Sequence, residues 1–303
     1  MKEYPMTFDE FIKQFSTETQ CREYLYKLRF PEGFRCPKCN NDKSWTVSDV
    51  LYECSACGRQ TSITAGTIFQ DTRKSLRTWF IAIWWLTTQK NGASAQGLQQ
   101  VLGLKTYKTA WTWLHKIRTA MVNPNRTKLS GTVEIDETLV GGVATGKRGR
   151  GAENKVLVII AAELDGKKVG RCRMGIIDDA SAESIHPFIV ENIESGSTLV
   201  TDGWSGYNGI ENKGFTREIH VQTGETDENK LLPHVHLIAS LLKRWLLGTH
   251  HGGIESQHLQ SYLDEYVFRF NRRKSAERGL LFYRLLESAM QVKTITYDEL
   301  IKR

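Results

Sequence analysis

Four of the six cysteines form two C-x-x-C pairs, and this feature constrains the fold more than any other. Cys36 and Cys39 make the first pair and Cys54 and Cys57 the second, with 14 residues between the pairs. Two such pairs on facing turns supply the four thiolates that Zn²⁺ binds in a tetrahedron. A segment this small buries little apolar surface, so the metal would contribute folding free energy directly. The pattern predicts a structural zinc ribbon.

The alternatives to zinc are reduced thiols without a metal and a redox dithiol, which does not need two pairs at this spacing. Disulfides are typical of exported proteins, and the N-terminal segment MKEYPMTFDEFIKQF lacks the apolar core of a signal peptide. No stretch approaches the roughly 20 apolar residues that span a bilayer. We therefore expect a cytoplasmic, nucleoid-associated protein in which Cys21 and Cys172 pack in the interior.

A helix-turn-helix is predicted after the ribbon. Residues 94–102 and 106–121 have helical patterns, and Gly103 can form the turn between them. Three lysines lie away from the apolar face of the second helix and are predicted to contact DNA: Lys105, Lys108 and Lys116. The net charge of +7 favours a polyanionic partner, because each cation placed on a phosphate releases a counterion. An ordinary helical hairpin with solvated lysines is the alternative.

Two aspartates follow short apolar runs in the second half of the chain. The sequence VEIDET places Asp136 after a predicted strand at 132–135, and LVTDGW places Asp202 after a predicted strand at 197–201. A carboxylate next to buried strand residues is costly unless it binds water, a cation or a hydrogen-bond donor. If neighbouring strands bring the two together, they form an oxygen-rich site suited to Mg²⁺ or Mn²⁺. Two aspartates in turns or caps are the alternative.

The remaining pattern completes an outline of mixed α/β structure. Further strands are predicted at 155–164 and 167–177, and helices at 75–90, 182–194, 233–247 and 259–291. Residues 208–232 are polar and are predicted to be mostly irregular. The change from helical to β pattern occurs at the polar, proline-containing residues 123–131, which predict a linker.

The motifs together resemble a known family. A four-cysteine ribbon, a helical region, EIDET with VGG, TDGWSGY, HVHLIASLLKRWLLGTHHGGI and YLDEYVFRFNRR occur in this order from about Phe34 to Phe282. This arrangement resembles the IS1595/ISXO2-like family of insertion-sequence transposases. The resemblance implies an RNase H-like catalytic fold with a DDE-type acidic metal triad, and DNA cleavage and strand transfer at terminal inverted repeats. It also implies that Asp136 and Asp202 are the first two metal ligands.

The third metal ligand departs from the family pattern, which has Asn or Glu in a context such as S-N-x-K. The matching stretch here is Ser240-Leu241-Leu242-Lys243, and leucine cannot bind a metal. His236 lies on the same helix face as Ser240 and Lys243, and a neutral imidazole binds Mn²⁺. We predict His236 as the third ligand, with Ser240, Glu137 or no third protein ligand as alternatives. Lys243 is predicted to contact DNA phosphate near the scissile bond, with a solvated helix lysine as the alternative.

Two further basic clusters are candidate DNA contacts. Lys147, Arg148 and Arg150 lie in a glycine-containing loop after the first aspartate, and Arg272 and Arg273 lie in the helical tail. Each could neutralise backbone phosphates, although a run of charges is often only a solvated surface.

The predicted architecture is mixed α/β with six segments. These are an N-terminal helical segment (1–30), a zinc ribbon (31–70), a helix-turn-helix DNA-binding region (71–122), a linker (123–131), an RNase H-like DDE-type catalytic domain (132–291) and a tail (292–303). We expect a DNA transposase that uses structural Zn²⁺ and catalytic Mg²⁺ or Mn²⁺ and bridges two DNA ends as a homo-oligomer. The altered third ligand leaves open a non-catalytic DNA-binding regulator derived from a transposase. An RNase H-like host nuclease is a third possibility, against which the ribbon and helix-turn-helix argue.

Overall fold

The computed structural model describes residues 4–123, 125–141, 155–221, 231–251, 254–293 and 295–302. Its helices are α1 (Phe8–Gln14), α2 (Glu18–Arg29), α3 (Leu76–Thr88), α4 (Ala95–Leu102), α5 (Tyr107–Met121), α6 (Ala182–Asn192), α7 (Pro233–His250), α8 (Leu259–Asn271), α9 (Arg278–Ala289) and α10 (Tyr297–Ile301). Its strands are β1 (Ser44–Ser48), β2 (Leu51–Cys54), β3 (Gln60–Ser62), β4 (Thr132–Gly141), β5 (Lys155–Asp165), β6 (Lys168–Ile177), β7 (Thr198–Thr201) and β8 (Thr216–Ile219). None of the helices in these ranges has the length and apolar character needed to cross a membrane.

The chain divides into two compact units, Met1–Asn123 with Ser275–Arg303, and Pro124–Lys274. The first unit holds the three-stranded sheet of the ribbon, in the order β1-β2-β3. It also holds α1 to α5 and the C-terminal helices α9 and α10. The second unit holds a five-stranded sheet and α6 to α8.

Short polar side chains fix the helix ends of the first unit. Thr7 and Thr17 form complete capping boxes at the starts of α1 and α2. Ser75 and Thr106 accept the corresponding N–H groups at the starts of α3 and α5. Gly103 ends α4 in the left-handed conformation, with φ of 59°. The helix, glycine turn and helix predicted at 94–121 are therefore present.

The helix α9 completes an aromatic core in the first unit. Phe282 is fully buried, and its ring centroid lies 5.5–5.7 Å from those of four other aromatic residues, Phe11, Phe15, Phe80 and Trp84. Residues after Lys274 therefore pack with the N-terminal unit, whereas the predicted catalytic domain extended to 291. Periodicity identifies α8 and α9 as helices, but it cannot tell which core each one joins.

The sheet of the second unit is mixed, with the strand order β6-β5-β4-β7-β8. Strands β4, β5 and β6 are consecutive antiparallel neighbours, while β7 runs parallel to β4 and β8 runs parallel to β7. One face packs against α6, and the other packs against α7 and α8. This order and these directions are those of the RNase H-like fold, so the predicted catalytic fold is confirmed.

Two strands differ from the prediction. β4 continues to Gly141 because its second half pairs with β5, so Asp136 lies inside a strand and not at its end. The short strand β8 falls in the segment 208–232, which was predicted to be mostly irregular. Its sequence, Thr-Arg-Glu-Ile, has no apolar run, and only the parallel pairing with β7 makes it a strand.

Side chains of α8 cover the outer edge of β6. Asn271 accepts the N–H of Cys172 at 2.7 Å and donates to its carbonyl at 3.0 Å. Gln260 accepts a further N–H of the strand at 3.1 Å, and Arg273, two residues after the end of α8, donates to two of the strand's carbonyls. Because these backbone groups are satisfied, this part of the edge is protected against pairing with another strand.

Candidate active site

Asp136 lies in β4, and Asp202 directly follows β7, the parallel neighbour of β4. The last paired residues of β4 and β7 are Glu134 and Val200. Asp136 lies two residues beyond Glu134, and Asp202 lies two residues beyond Val200, one residue past the end of β7. Neighbouring strands lie about 4.8 Å apart, and residues two apart in a strand point to the same face. The register therefore directs both carboxylates to one region of the face that α7 covers.

The helix α7 brings His236 to Asp136. It begins at Pro233, whose fixed φ suits the first turn of a helix. His236 Nε2 lies 3.1 Å from Asp136 Oδ2, and both side chains are partly buried. His236 Nδ1 is buried and has no hydrogen-bond partner among the described residues. The predicted third ligand thus lies against the predicted first ligand.

Glu134 fixes the start of α7, and the sequence analysis did not identify it. Its Oε2 accepts the N–H groups of His234 at 2.9 Å and Val235 at 3.1 Å. Its Oε1 lies 2.6 Å from His234 Nδ1. Glu134 is only 4% exposed, so these contacts are shielded from water. The available signal was a glutamate at an inward position of an apolar strand, two residues before Asp136.

The pKa of Asp136 reflects a crowded acidic site. Burial raises this pKa, and the negative charge of Asp202 raises it further. The Glu137 N–H, which donates to Asp136 Oδ1 at 2.8 Å, and the neighbouring His236 act in the opposite direction. A divalent cation would relieve both the burial of the charge and the repulsion between the carboxylates. Carboxylate oxygens with one imidazole are suitable ligands for Mn²⁺ and, less readily, Mg²⁺.

The turn that carries Asp202 is held by Arg217 of β8. Asp202 Oδ1 accepts the N–H of Trp204 at 2.9 Å. The Arg217 guanidinium donates to the carbonyls of Asp202 at 3.0 Å and Trp204 at 3.1 Å. It also donates to Thr201 Oγ1 at 2.9 Å and to Asn208 Oδ1 at 2.8 Å. One side chain therefore ties together the end of β7 and the loop that follows it.

The two side chains named as alternative third ligands have different surroundings. Glu137 points to the opposite face of β4, where its carboxylate accepts the hydroxyl of the fully buried Tyr207 at 2.5 Å. Burial raises the pKa of Tyr207 well above its ordinary value, and the charge of Glu137 adds to the effect. Ser240 is exposed on α7, one helical turn beyond His236.

Lys243 lies two turns beyond His236 on α7, about 10 Å along the helix axis. It borders a cavity of about 300 Å³ whose walls are mainly apolar and include Leu139, Val156 and Leu246. Burial and the positive charge of Lys155 lower the pKa of Lys243. Its contact with DNA phosphate stays a prediction.

The four ribbon cysteines form a compact metal centre. Their sulfur atoms all lie within 4.8 Å of one another, with 3.6 Å between Cys36 and Cys57 and 3.5 Å between Cys39 and Cys54. Four sulfurs bound to zinc at 2.3 Å in a tetrahedron lie about 3.8 Å apart. The site therefore fits zinc. Within the described ranges, no other group of three or more His, Cys, Asp or Glu side chains is this compact, so the Asp136 site is more open.

The backbone of the ribbon turns favours the thiolate form at Cys36 and Cys54. Burial alone would raise the pKa of Cys54, but the N–H groups of Ala56 and Cys57 and the neighbouring thiols lower it to about 6. The pKa of Cys36 is lowered as well, against the effect of burial, by N–H groups of its own turn. Because the thiolate is the form that binds zinc, these turns are suited to metal ligation.

The three predicted DNA-binding lysines have different surroundings. Lys105 and Lys108 are exposed at the start of α5, and Lys108 Nζ lies 3.5 Å from the ring centroid of Tyr297. Lys116 is half-buried, and burial lowers its pKa although the charge of Asp71 opposes this. Lys105 and Lys108 are therefore better placed for phosphate contact than Lys116.

The other predicted DNA contacts divide into two groups. Arg272 and Arg273 lie over the rings of Phe268 and Phe270, at 4.1 Å and 4.0 Å from the ring centroids. Their guanidinium groups therefore take part in packing at the end of α8. The loop cluster of Lys147, Arg148 and Arg150 lies outside the described residues.

Two family models match the chain. Residues 128–271 match the ISXO2-like transposase domain, and residues 16–60 match the transposase zinc-ribbon domain of the IS1595 group. The chain therefore carries the zinc-ribbon and transposase domains of the IS1595/ISXO2-like family. The transposase-domain match contains Asp136, Asp202 and His236, and the ribbon match contains all four metal-centre cysteines.

Other similarities of this chain are more distant. An uncharacterized protein in transposable element ISH50 of Halobacterium salinarum is 28% identical over 285 residues, covering 85% of this chain and 92% of the relative. The catalytic core domain of BIV integrase is 17% identical with a TM-score of 0.33, covering 50% of this chain and 89% of that one. A simian T-cell lymphotropic virus intasome in complex with PP2A regulatory subunit B56 gamma is 13% identical with a TM-score of 0.32, covering 61% and 70%. The fold assignment rests on the strand order and directions.

Proposed function

We propose that this protein is an active DNA transposase that cleaves and joins DNA at the terminal inverted repeats of an insertion sequence. The observation that carries the proposal is the register of β4 and β7, which directs Asp136 and Asp202 to one region of the sheet face. The contact between His236 and Asp136 adds a third donor to this region. The match to the transposase domain supports DNA as the substrate.

The chain's own residues would bind and orient the reacting groups. Asp136, Asp202 and His236 would hold Mg²⁺ or Mn²⁺, which would supply an activated oxygen nucleophile and neutralise the leaving oxygen. The Arg217 contacts keep the Asp202 turn in place, and Lys243 would bind a phosphate further along the DNA. The oxygen of a water or of a DNA 3′-hydroxyl would form the new bond to phosphorus as the scissile P–O bond breaks.

DNA recognition would come from the first unit. The exposed lysines at the start of α5 would bind phosphates, and the zinc ribbon would support or extend that contact. Because strand transfer uses two DNA ends, we propose that a homo-oligomer, at least a dimer, is the active form.

The test is a cleavage assay on DNA duplexes that carry the inverted-repeat ends, with Mn²⁺ or Mg²⁺ added. Asp136→Asn and Asp202→Asn should each lower the rate about 1,000-fold, since loss of about 4 kcal/mol of charge stabilisation has this effect. Glu191→Gln, which changes an exposed carboxylate on α6, is the matched control and should leave the rate unchanged. A gel-shift assay on the same duplexes should show that all three variants still bind DNA.

Three outcomes would contradict the proposal. Wild-type cleavage rates in both aspartate variants would exclude the metal site. Sequence-specific binding without cleavage by the unmodified protein would favour the DNA-binding regulator. Cleavage that follows DNA shape and ignores the repeat sequence would favour the host nuclease.

A further inference from the structure

The start of α7 has no cap within its own segment. An N-cap side chain normally accepts the N–H of the second or third helical residue, but the N-cap position here is Leu232, which makes no such bond. The second and third helical residues are His234 and Val235, and both N–H groups donate to Glu134 of β4. A carboxylate from the sheet therefore serves as the cap, and the positive end of the helix dipole faces this buried negative charge.

The strand β4 and the helix α7 make a second contact, two residues further along both elements. Glu134 and Asp136 lie on one face of β4, about 6.8 Å apart along the strand. On α7, His234 meets Glu134 and His236 meets Asp136. Two contacts at matched spacing restrict both the sliding and the rotation of α7 over the sheet. The Glu134 contact is the more buried of the two, since the Glu134 side chain is 6% exposed and the Asp136 side chain is 23% exposed.

We propose that Glu134 is a positioning residue that orients His236 beside Asp136 for metal binding. Its carboxylate oxygens contact the first turn of α7, and it acts by anchoring that turn to β4. Residues that orient metal ligands in this way typically change metal affinity 10- to 100-fold when they are mutated. The proposal rests on the proposed function, because it assumes that Asp136 and His236 hold the divalent cation.

The prediction separates hydrogen bonding by Glu134 from its charge. Glu134→Gln keeps an oxygen that can accept both N–H groups, so it should bind Mn²⁺ within about 3-fold of the wild type. Glu134→Ala removes the acceptor and should weaken Mn²⁺ binding at least about 10-fold. His234→Ala keeps both backbone contacts to Glu134 and should have an effect smaller than that of Glu134→Ala.

The measurement is isothermal titration calorimetry of MnCl₂ into the zinc-loaded full-length protein, without DNA. Glu163→Gln is the matched control, because it disturbs an ion pair with Arg171 on the same sheet but away from α7. A general loss of stability would weaken Mn²⁺ binding in both Glu163→Gln and Glu134→Ala. A loss of positioning would weaken it in Glu134→Ala alone. If Glu134→Ala does not fold by circular dichroism, Glu134→Asp takes its place, because a carboxylate shorter by one methylene cannot reach all three groups.

The outcomes distinguish the two proposals. If Asp136→Asn binds Mn²⁺ as the wild type does, the metal site itself is misassigned. If Asp136→Asn loses Mn²⁺ binding but Glu134→Ala or Glu134→Asp retains wild-type affinity, Glu134 does not position the site. Equal weakening by Glu134→Gln and Glu134→Ala would also overturn the proposal, because charge and not anchoring would then be the cause.

Discussion

Arg217 offers a direct test of how the Asp202 turn is held. We predict that Arg217→Met loosens the loop of residues 202–208 while leaving the sheet intact. The guanidinium makes four hydrogen bonds, to Thr201, Asp202, Trp204 and Asn208. Bonds to charged groups contribute about 1.5–3 kcal/mol each, but water can replace the donor at the exposed acceptors.

The net effect follows from which acceptors are buried. Asn208 and Trp204 are exposed and would bind water instead. Thr201 is fully buried, and its hydroxyl would lose the donor that Arg217 provides. One buried acceptor left without its donor costs about 2 kcal/mol, which corresponds to an increase of about 30-fold in local opening.

The assay is native-state hydrogen exchange, followed by mass spectrometry of peptides that cover the loop. Exchange of the Trp204 and Asn208 amides, which donate within the loop, should accelerate about 30-fold. Arg217→Lys should recover only part of the protection, because an ammonium cannot reproduce the fork of donors. Unchanged exchange in Arg217→Met would refute the reasoning, as would equal acceleration throughout β4 and β5.

Three further predictions concern other parts of the molecule. Cys54→Ser should unfold the ribbon and lower the zinc content, measured by atomic absorption, from one ion per chain to near zero. Cys21→Ala is the control and should keep the metal. Equal zinc contents in the two variants would contradict the assignment. Lys105→Ala should reduce the slope of log K against log salt concentration for DNA binding by about 0.9. Lys116→Ala should reduce this slope less, because Lys116 is half-buried. The opposite ranking would show that the recognition surface is misplaced. Burial raises the pKa of Asp264 to about 6, so the folded protein keeps a proton that the unfolded chain releases near pH 4, and stability falls as the pH rises from about 4 to about 6. In urea unfolding at pH 8, Asp264→Asn should therefore be more stable than the wild type by up to about 3 kcal/mol, and no gain would exclude this origin of the pH dependence.

Local patterns were enough to predict the ribbon and most helices. The cysteine spacing defines a metal centre because four thiolates on two short turns need few other contacts. The helix starts at Ser75 and Thr106 could be predicted, since an N-cap hydrogen bond joins residues only two or three positions apart. The family resemblance, based on long motifs, supplied the RNase H-like fold and implied that Asp136 and Asp202, already candidates from the local pattern, are the first two metal ligands.

The tertiary structure decided features that depend on distant pairing. Sequence patterns placed Asp136 at a strand end, but pairing with β5 carries β4 on to Gly141. The strand β8 exists because β7 offers it a partner, and its Arg217 then holds the Asp202 turn. The sequence showed a glutamate at position 134 but could not show that it caps a helix that begins 99 residues later.

The sequence by itself determined which residues can carry chemistry: four thiolates at ligand spacing, two aspartates in apolar surroundings, and a histidine on a helix face. These follow from local geometry, since ligand spacing, capping and periodicity involve residues near each other in the chain. Only the tertiary structure decided which of them meet. The parallel register of β4 and β7 and the anchoring of α7 on Glu134 join segments 66 and 100 residues apart, and such contacts depend on how whole elements pack.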